Sequence, residues 1–380
     1  MKLISLFLSA FRNIEQETLR PGQALTLLSG LNGQGKTSFV EAISLLSIAT
    51  SFRTQRDDDM IAENHQYSRV HGIVETAPGS VRELAMDLKR SSGKTAWIDG
   101  QRAKRLGDFT GTLPSVLIHP GDIDEIRGAP ALRRKFMDMG ISMASRDYLG
   151  SLRELRTAME SKRAILSKVF RGTFTNMDRA SLRAINETAV HPTWRIVKAR
   201  SEFVSSLSAT LGGYWKRILR AQGPEPRIRV DYKCFLSKSV IDSSESDLLD
   251  LVRRNFDESL KSEIDQGKIL TGSQRDDFEF FLNNRPARRF ASQGEARTMV
   301  VGSRLFLADE ISRMRGERPL VLVDDVLTDL DRNRRHGLME CLAGTQVVAT
   351  VSDCTALDRT GISDSIMYIV ENGGLTLATE

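Results

Sequence analysis

Apolar positions along the chain change their period twice, and the changes mark out its organisation. Lys2 to Ala10 reads as a first strand. Ala24 to Ser29 is an almost unbroken apolar run of strand length, and Phe39 to Leu46 then places apolar residues at helical spacing. Val70 to Glu75 and Leu84 to Lys89 look like further strands, and Lys94 to Ile98 like one running into an Asp99-Gly100 turn. From about Pro130 to Gln222 the sequence becomes charged and helix-favouring. Tyr148, Leu152, Leu155, Met159, Lys162, Leu166 and Val169 are spaced alternately four and three apart, a heptad seam with a lysine in one core slot. After a loop near Arg171-Gly172-Thr173 a second helical stretch begins. His191-Pro192 predicts an interruption there, because proline removes a backbone donor. Ile196, Arg200, Phe203, Leu207, Thr210 and Tyr214 then resume the spacing.

Two antiparallel helices forming a short arm fit this pattern, with ordinary helical packing inside a lobe as the competing arrangement. Gly223-Pro224-Glu225-Pro226 ends the arm, Arg227 to Tyr232 alternates like a strand, and Leu248 to Ile264 is helical again. From Thr271 the character is mixed once more, with apolar strands at Pro319 to Val323 and Thr345 to Val351. The expected fold is α/β, built from residues 1–125 and 265–380, with a helical arm, 126–264, inserted between them.

Composition narrows the class. A chain of 380 residues holds about two domains, and 40% apolar with 27% charged residues is ordinary for a globular protein. A formal charge of +5 permits an anionic partner such as nucleic acid without requiring one. Cys234, Cys341 and Cys354 are odd in number and lack metal-ligand spacing, which points to a reducing, cytoplasmic compartment. The apolar start looks like a short signal peptide, yet it runs straight into Phe11-Arg12-Asn13 with no small-residue cleavage site, so a strand is the better reading. No run of about 18 apolar residues occurs, so no membrane partner is expected.

Candidate chemistry changes the picture more. Gly30-Leu31-Asn32-Gly33-Gln34-Gly35-Lys36-Thr37, followed by Ser38, fits G-x-x-x-x-G-K-[ST] in the strand–loop–helix context that such a phosphate-binding loop requires. Its glycines let successive backbone N–H groups turn inward around phosphate oxygens, and the helix N-terminus adds its positive end. Lys36 is suited to the β- and γ-phosphates, and Thr37 to Mg²⁺. Asp324, closing an apolar strand, suits a carboxylate that holds Mg²⁺ through water, and Asp325 suits orientation of an attacking water. A plain strand end or helix cap is the structural alternative for that pair taken alone. Ser292-Gln293-Gly294-Glu295 precedes a helical run through Met299, Val300 and Leu305 and forms a second anion site. One nucleotide has no need of two cradles from the same chain, so the second suits the far side of a γ-phosphate held by another copy.

Together, Gly30–Thr37, Ser292–Glu295 and the run Leu322-Val323-Asp324-Asp325-Val326-Leu327-Thr328-Asp329-Leu330-Asp331 resemble the phosphate loop, signature motif, Walker B strand and D-loop of an ABC-type ATPase head, a P-loop NTPase. The helical insert between loop and signature is similar to the SMC-like branch that acts on DNA. More narrowly, six segments resemble the RecF family in the same order. They are Phe11-Arg12-Asn13, Asn32–Thr37, Ser51-Phe52-Arg53-Thr54, Thr271–Asp277, Ala291–Gly294 and Asp324–Leu327.

The resemblance implies that Gly30, Leu31, Asn32, Gly33, Gln34, Gly35, Lys36, Thr37 and Ser38 bind ATP phosphates, with Arg12 and Asn13 beside the nucleotide and Thr37 and Asp324 on Mg²⁺. Asp325 takes the place of the catalytic acid, which is glutamate in many ABC heads. Ser292 and Gly294, with Gln293 and Glu295, clasp the ATP of a partner subunit, and Asp331 belongs to the D-loop. By the same resemblance the protein is a weak ATPase in recombinational repair. It forms an ATP-dependent homodimer at single-strand/double-strand DNA junctions and helps to load recombinase alongside other mediator proteins. Arg127, Arg133 and Arg134 stand where the family's arm begins. They either touch DNA phosphates, or Arg134 pairs with Asp138 one helical turn on. The chain departs from the family at Gly272-Ser273-Gln274-Arg275-Asp276-Asp277, where Gly-Pro-His-Arg-Asp-Asp is usual, and at Glu295-Ala296, where two glutamines are. His119-Pro120-Gly121-Asp122 replaces a more acidic segment, and Thr350-Val351-Ser352-Asp353 has no histidine to name as general base. The alternatives are an SMC-like regulatory or defence ATPase without a mediator role, and a small-molecule kinase or GTPase. The signature motif and the lack of an Asn-Lys-x-Asp motif count against the last.

Overall fold

A computed structural model describes residues 1–77, 79–222, 225–236, 244–352 and 365–378. The chain forms two compact units, one from Met1–Ile123, Gly213–Glu225 and Arg297–Glu380, the other from Asp124–Gly212 and Pro226–Ala296.

In the first unit, the fully buried strands Leu25–Ser29, Val347–Val351 and Leu320–Val323 lie side by side in parallel, with Ser115–Ile118 beyond them. On the other flank Ser365–Glu371 pairs in parallel with Leu25–Ser29, and Gly374–Leu377 closes that edge antiparallel. Strands so uniformly buried, and mostly Val and Leu, are what a sheet covered on both faces demands. A second, antiparallel sheet has the order Ile14–Leu19, Lys2–Phe11, Tyr67–Ala77, Ser80–Lys89, Gly93–Ile98, Gln101–Arg102. Its strands alternate buried and outward positions, as a sheet with one wet face should.

The Lys36–Ile48 helix packs against both sheets, and Phe39, Val40, Ala42, Ile43, Leu45 and Leu46 are all buried in one core with them. A helix buried around nearly its whole circumference belongs in such a place. Gly72 makes room for it, since a Cβ there would sit 2.7 Å from Leu46 Cδ1. The buried Gln346 side chain links the two sheets. Its amide accepts from Leu3 N at 2.8 Å and donates to Leu3 O and Gly22 O at 2.9 Å each.

In the second unit the arm is three helices rather than the expected pair: Arg146–Phe170, Asn176–Leu219 and Glu245–Gln266. Leu166, Leu182, Leu260 and Ile264 form a shared apolar cluster, one or two residues from each. The expected break at Pro192 does not occur, and the second helix runs through it for 44 residues. Burial of Ala189, Val190, Ile196 and Val197 on either side outweighs the lost hydrogen bond. Residues 265–296, expected with the α/β ends, pack here because Asp277–Leu282 pairs with the Ile228–Lys233 strand.

Lys162, in the heptad core slot, is fully buried with its ammonium 2.7 Å from Glu263 and 2.7 Å from the Asn186 side-chain oxygen. Burial pulls its pKa below the usual lysine value, against the attraction of Glu263. Removing one partner leaves the other charge stranded in a dry site. Lys162→Ala is therefore expected to cost about 3–5 kcal/mol, whereas a double replacement of Lys162 and Glu263 by Met and Leu should recover most of it. Urea unfolding followed by helical circular dichroism measures both.

Candidate functional site

The 30–35 loop leaves the end of the Leu25–Ser29 strand and enters the Lys36–Ile48 helix. Gly35 has φ +110°, and a Cβ there would meet the Asn13 amide at 2.8 Å, so only glycine fits. Lys36 Nζ folds back onto the loop, donating to Gly30 O at 2.6 Å and Leu31 O at 2.9 Å. Burial lowers its pKa, partly offset by the carboxylates of Asp325 and Asp324.

The structure brings both ends of the sequence constellation together. Thr37 Oγ1 donates to Asp324 Oδ1 at 2.9 Å. Thr350, on the strand between theirs, donates to the same oxygen at 2.9 Å and accepts the Asp325 N–H at 2.8 Å. Burial pushes the Asp324 carboxyl above its ordinary pKa, the hydrogen bonds from Thr350 and Thr37 pull it back, and the Asp325 charge pushes it up again. Asp325 itself sits at φ +52°, a left-handed conformation unusual for a residue with a side chain. Strain of this kind persists where surroundings over-determine it, here through Thr350 and through Thr328, whose hydroxyl donates to Asp325 O at 3.1 Å.

A pocket of about 670 Å³ opens over the loop, within the range of ligand sites. Asn32, Gly33, Gly35, Lys36, Thr37, Ser38 and Asp325 line it, together with Arg12 and Asn13. Gly30, Leu31 and Gln34 are not among its lining residues. The first two give carbonyls to Lys36, and Gln34 O accepts from Asn13 Nδ2 at 3.2 Å and Gly373 N at 2.8 Å. Arg12 does not point its charge freely into the pocket. It grips Glu41, a fully buried carboxylate on the loop's own helix, at 2.9 and 2.6 Å. Ser51 Oγ donates to the same group at 2.5 Å and Arg53 at 3.2 Å. One carboxylate with two arginines leaves that cluster net positive, and the half-exposed Arg53 brings it to a pocket lined also by Glu15, Asp59 and Glu63. Sequence reasoning gave no role to Glu41 or Thr350 and quoted Arg53 only within a similar segment. Their signal is a charged or hydroxyl residue inside an otherwise apolar element.

Ser292 and Glu295 form a reciprocal capping box. Ser292 N donates to Glu295 Oε2 at 2.8 Å, and Glu295 N donates to Ser292 Oγ at 3.2 Å, at the start of the Gln293–Arg315 helix. Gln293 and Gly294 follow in that first turn, and all four lie in the second unit, outside the pocket's lining. Asp331 caps the Arg332–Cys341 helix, accepting from Arg334 N at 3.0 Å. Of the two readings offered for Arg134, the pairing with Asp138 is not made, because Asp138 is taken by Arg200 at 2.9 Å. Arg134 donates to Asp276 O at 2.8 Å instead. Arg133 is buried in a two-point contact with Asp277, so it is not a surface cation. Asp353 lies outside the described residues. Within the first unit Arg304 clasps the buried Asp122 at 2.7 Å, and His119 Nε2 stands 2.9 Å from the same carboxyl.

Comparison with known proteins places the chain among related sequences. The profile described as the RecF/RecN/SMC N terminal domain matches residues 2–357. Proteins named DNA replication and repair protein RecF are 31% identical in both Limosilactobacillus fermentum and Geobacillus kaustophilus, over 99% of this chain and 99% of theirs. A solved structure of the recombination mediator protein RecF with ATP, in the RecFOR pathway, superimposes with a TM-score of 0.89 at 24% identity, covering 99% of this chain and 97% of that one. The fold is that of an ABC-type ATPase head of the SMC-like kind. No helix among the described residues is long and apolar enough to cross a membrane.

The Asp122–Arg304 contact gives a pH test. Burial pushes the Asp122 carboxyl up, but Arg304 and His119 outweigh it and hold the pKa down at about 2. A depressed folded value stabilises above the unfolded pKa of about 3.9 and is lost as pH falls towards 2. Asp122→Asn should thus be less stable than the parent at pH 7 by roughly 2 kcal/mol, and the gap should close between pH 5 and pH 2 in denaturant titrations.

Proposed function

The chain belongs to the RecF family, within the RecF/RecN/SMC N-terminal domain group, and on that footing we propose that it is an ATP-dependent DNA-binding protein of replication and repair whose ATP hydrolysis serves as a switch. The observation that carries the reading is the meeting of Thr37 and Asp324 over a 2.9 Å hydrogen bond, beside Lys36 and below a pocket of nucleotide size. The residues present fit both absent groups. A hydroxyl and a carboxylate are the hard oxygen donors that Mg²⁺ takes, and an inward-facing glycine loop at a helix start suits phosphate. A Mg²⁺ held by Thr37 and Asp324 would offset the negative charge of the phosphates.

The chain's own residues divide the remaining work. Backbone N–H groups from Gly33 to Thr37 orient the phosphates, with Ser38 and Asn13 beside them. The Lys36 ammonium exchanges the Gly30 and Leu31 carbonyls, its present partners, for β- and γ-phosphate oxygens. Asp325, held at the pocket's edge, orients the attacking water and accepts its proton at a carboxylate oxygen. Ser292 to Glu295, with the exposed helix start that follows, completes the site from a second copy, so that ATP closes a dimer and hydrolysis opens it. DNA phosphates are then held on the closed dimer at single-strand/double-strand junctions, together with other recombination mediator proteins. The relatives' shared name, DNA replication and repair protein, supports this choice of partner.

Three measurements test it. Lys36→Ala should weaken ATP binding by about 10- to 150-fold, the worth of hydrogen bonds to charged groups; unchanged affinity in calorimetry would remove the site assignment. ATPase rate should rise with gapped DNA and fall steeply with salt, whereas indifference to DNA favours an SMC-like regulatory or defence ATPase. Ser292→Arg should leave ATP affinity intact but abolish the ATP-induced dimer in light scattering. A normal dimer in that variant disproves the shared site.

A further inference from the structure

The outward face of the six-stranded antiparallel sheet carries aromatic residues that the core does not use. Phe7, His71, Ala85, Trp97 and Arg102 are successive cross-strand partners, so they form one row across five strands. In the middle of the row the small Ala85 leaves a groove of about 210 Å³, lined by Arg69, His71, Glu83, Ala85, Trp97 and Gly100. Ala85, 3% exposed, is the floor of this groove.

The groove is set before any ligand arrives. Trp97 Nε1 donates to Asp87 at 2.7 Å, Tyr67 OH donates to the same carboxylate at 2.5 Å, and Arg69 approaches it at 3.5 Å. One acidic residue thus fixes a wall, a neighbouring ring and a rim cation, which lowers the ordering cost of binding. Strand spacing puts His71 and Trp97 about 9.6 Å apart in the sheet, while a planar ring in contact on both faces needs about 7–8 Å. That backbone interval and the groove's volume of about 210 Å³ leave room for one inserted ring.

The surroundings specify what carries that ring. Exposed Arg102 stands directly opposite Trp97, exposed Lys89 directly opposite Tyr67, and Arg69 is half-exposed at the rim. Glu83, 62% exposed and 3.9 Å from His71, repels a phosphate at that point but accepts an N–H from a base edge. Aromatic residues and flanking cations on an open sheet are how single-stranded nucleic acid is gripped. A paired base, stacked inside a duplex, cannot enter.

We propose that this groove takes an unpaired base of single-stranded DNA between His71 and Trp97, with Arg69 and Arg102 on the adjoining phosphates. The choice of DNA rests on the functional reading above; the groove and its ring-sized gap do not. No groove residue lines the pocket over the phosphate loop, so the two can be tested apart.

Labelled oligothymidine and a duplex of equal length are titrated with the whole protein by fluorescence anisotropy. Trp97→Ala should weaken oligothymidine binding about fivefold or more, the lower end for one stacked base, with Trp97→Phe within about twofold of the parent. Ala85→Leu, which fills the groove and removes nothing, should weaken it as well. Duplex and ATP affinities should be unchanged in all three, and tryptophan emission of the parent should be quenched by oligothymidine. Oligothymidine binding that survives both Trp97→Ala and Ala85→Leu overturns the groove while leaving the DNA reading intact, and so does an equal loss for single strand and duplex. If the parent binds neither DNA, the functional reading and the groove fall together.

Discussion

Two oxygens, Thr37 Oγ1 and Asp324 Oδ1, have to lie 2.9 Å apart although 287 positions separate them in the chain. No local turn can do this. The order of the parallel sheet does, by placing Val347–Val351 between the strand that feeds the loop and the strand that ends at Asp324. Thr350 on that middle strand then ties its neighbours' ends together, and it is fully buried. Gln346, at the entry to the same strand, ties Leu3 and Gly22 to it from below. One strand is therefore the keel to which both halves of the site are fastened.

Buried charge is handled in the same manner in both units. Glu41 sits inside an apolar helix, and its two oxygens are shared among Arg12, Arg53 and Ser51. Arg200 of the second unit spends its guanidinium on Asp138, Asp276, Ser273 O and Tyr148. Burial, with the Asp138 carboxylate, pushes the Tyr148 hydroxyl well above its ordinary pKa against the opposing pull of Arg200, so it stays protonated. Such saturation adds little net stability compared with apolar packing, because each charge first loses its water. It does make alternative arrangements costly, since any shift strands a charge. The phosphate loop's outer wall and the base of the arm are accordingly held in one arrangement each.

How far the sequence could be read follows from how local each signal is. The 30–37 loop, the Asp324-Asp325 strand end and the Ser292–Glu295 helix start were legible because each is a contiguous pattern whose chemistry is its own. The family resemblance followed from those motifs and their order. Glu41, Arg53 and Thr350 were not legible, because their partners lie on other elements and nothing within a few residues announces them. Lys162 stands out as an oddity in a heptad, but its partner Glu263 lies on the Glu245–Gln266 helix, so the sequence shows that helix without showing that it packs against the pair. Pro192 misled for a related reason: propensity is a local cost of a few kcal/mol, and a well-packed 44-residue helix can absorb it.

The Gln346 bridge also has a meaning in time. Leu3 waits for a partner 343 residues further on, and at 5–20 residues per second a ribosome needs roughly 20–70 s to supply it. Over that interval the Leu25–Ser29 strand has neither of its parallel neighbours, and the helix after the phosphate loop, buried on nearly every side in the folded protein, lacks the Val347–Val351 strand that packs against it. The nascent chain must keep its most aggregation-prone segment sheltered until its last third emerges, so expression temperature and chaperone supply should govern the yield of this protein more than its final stability does.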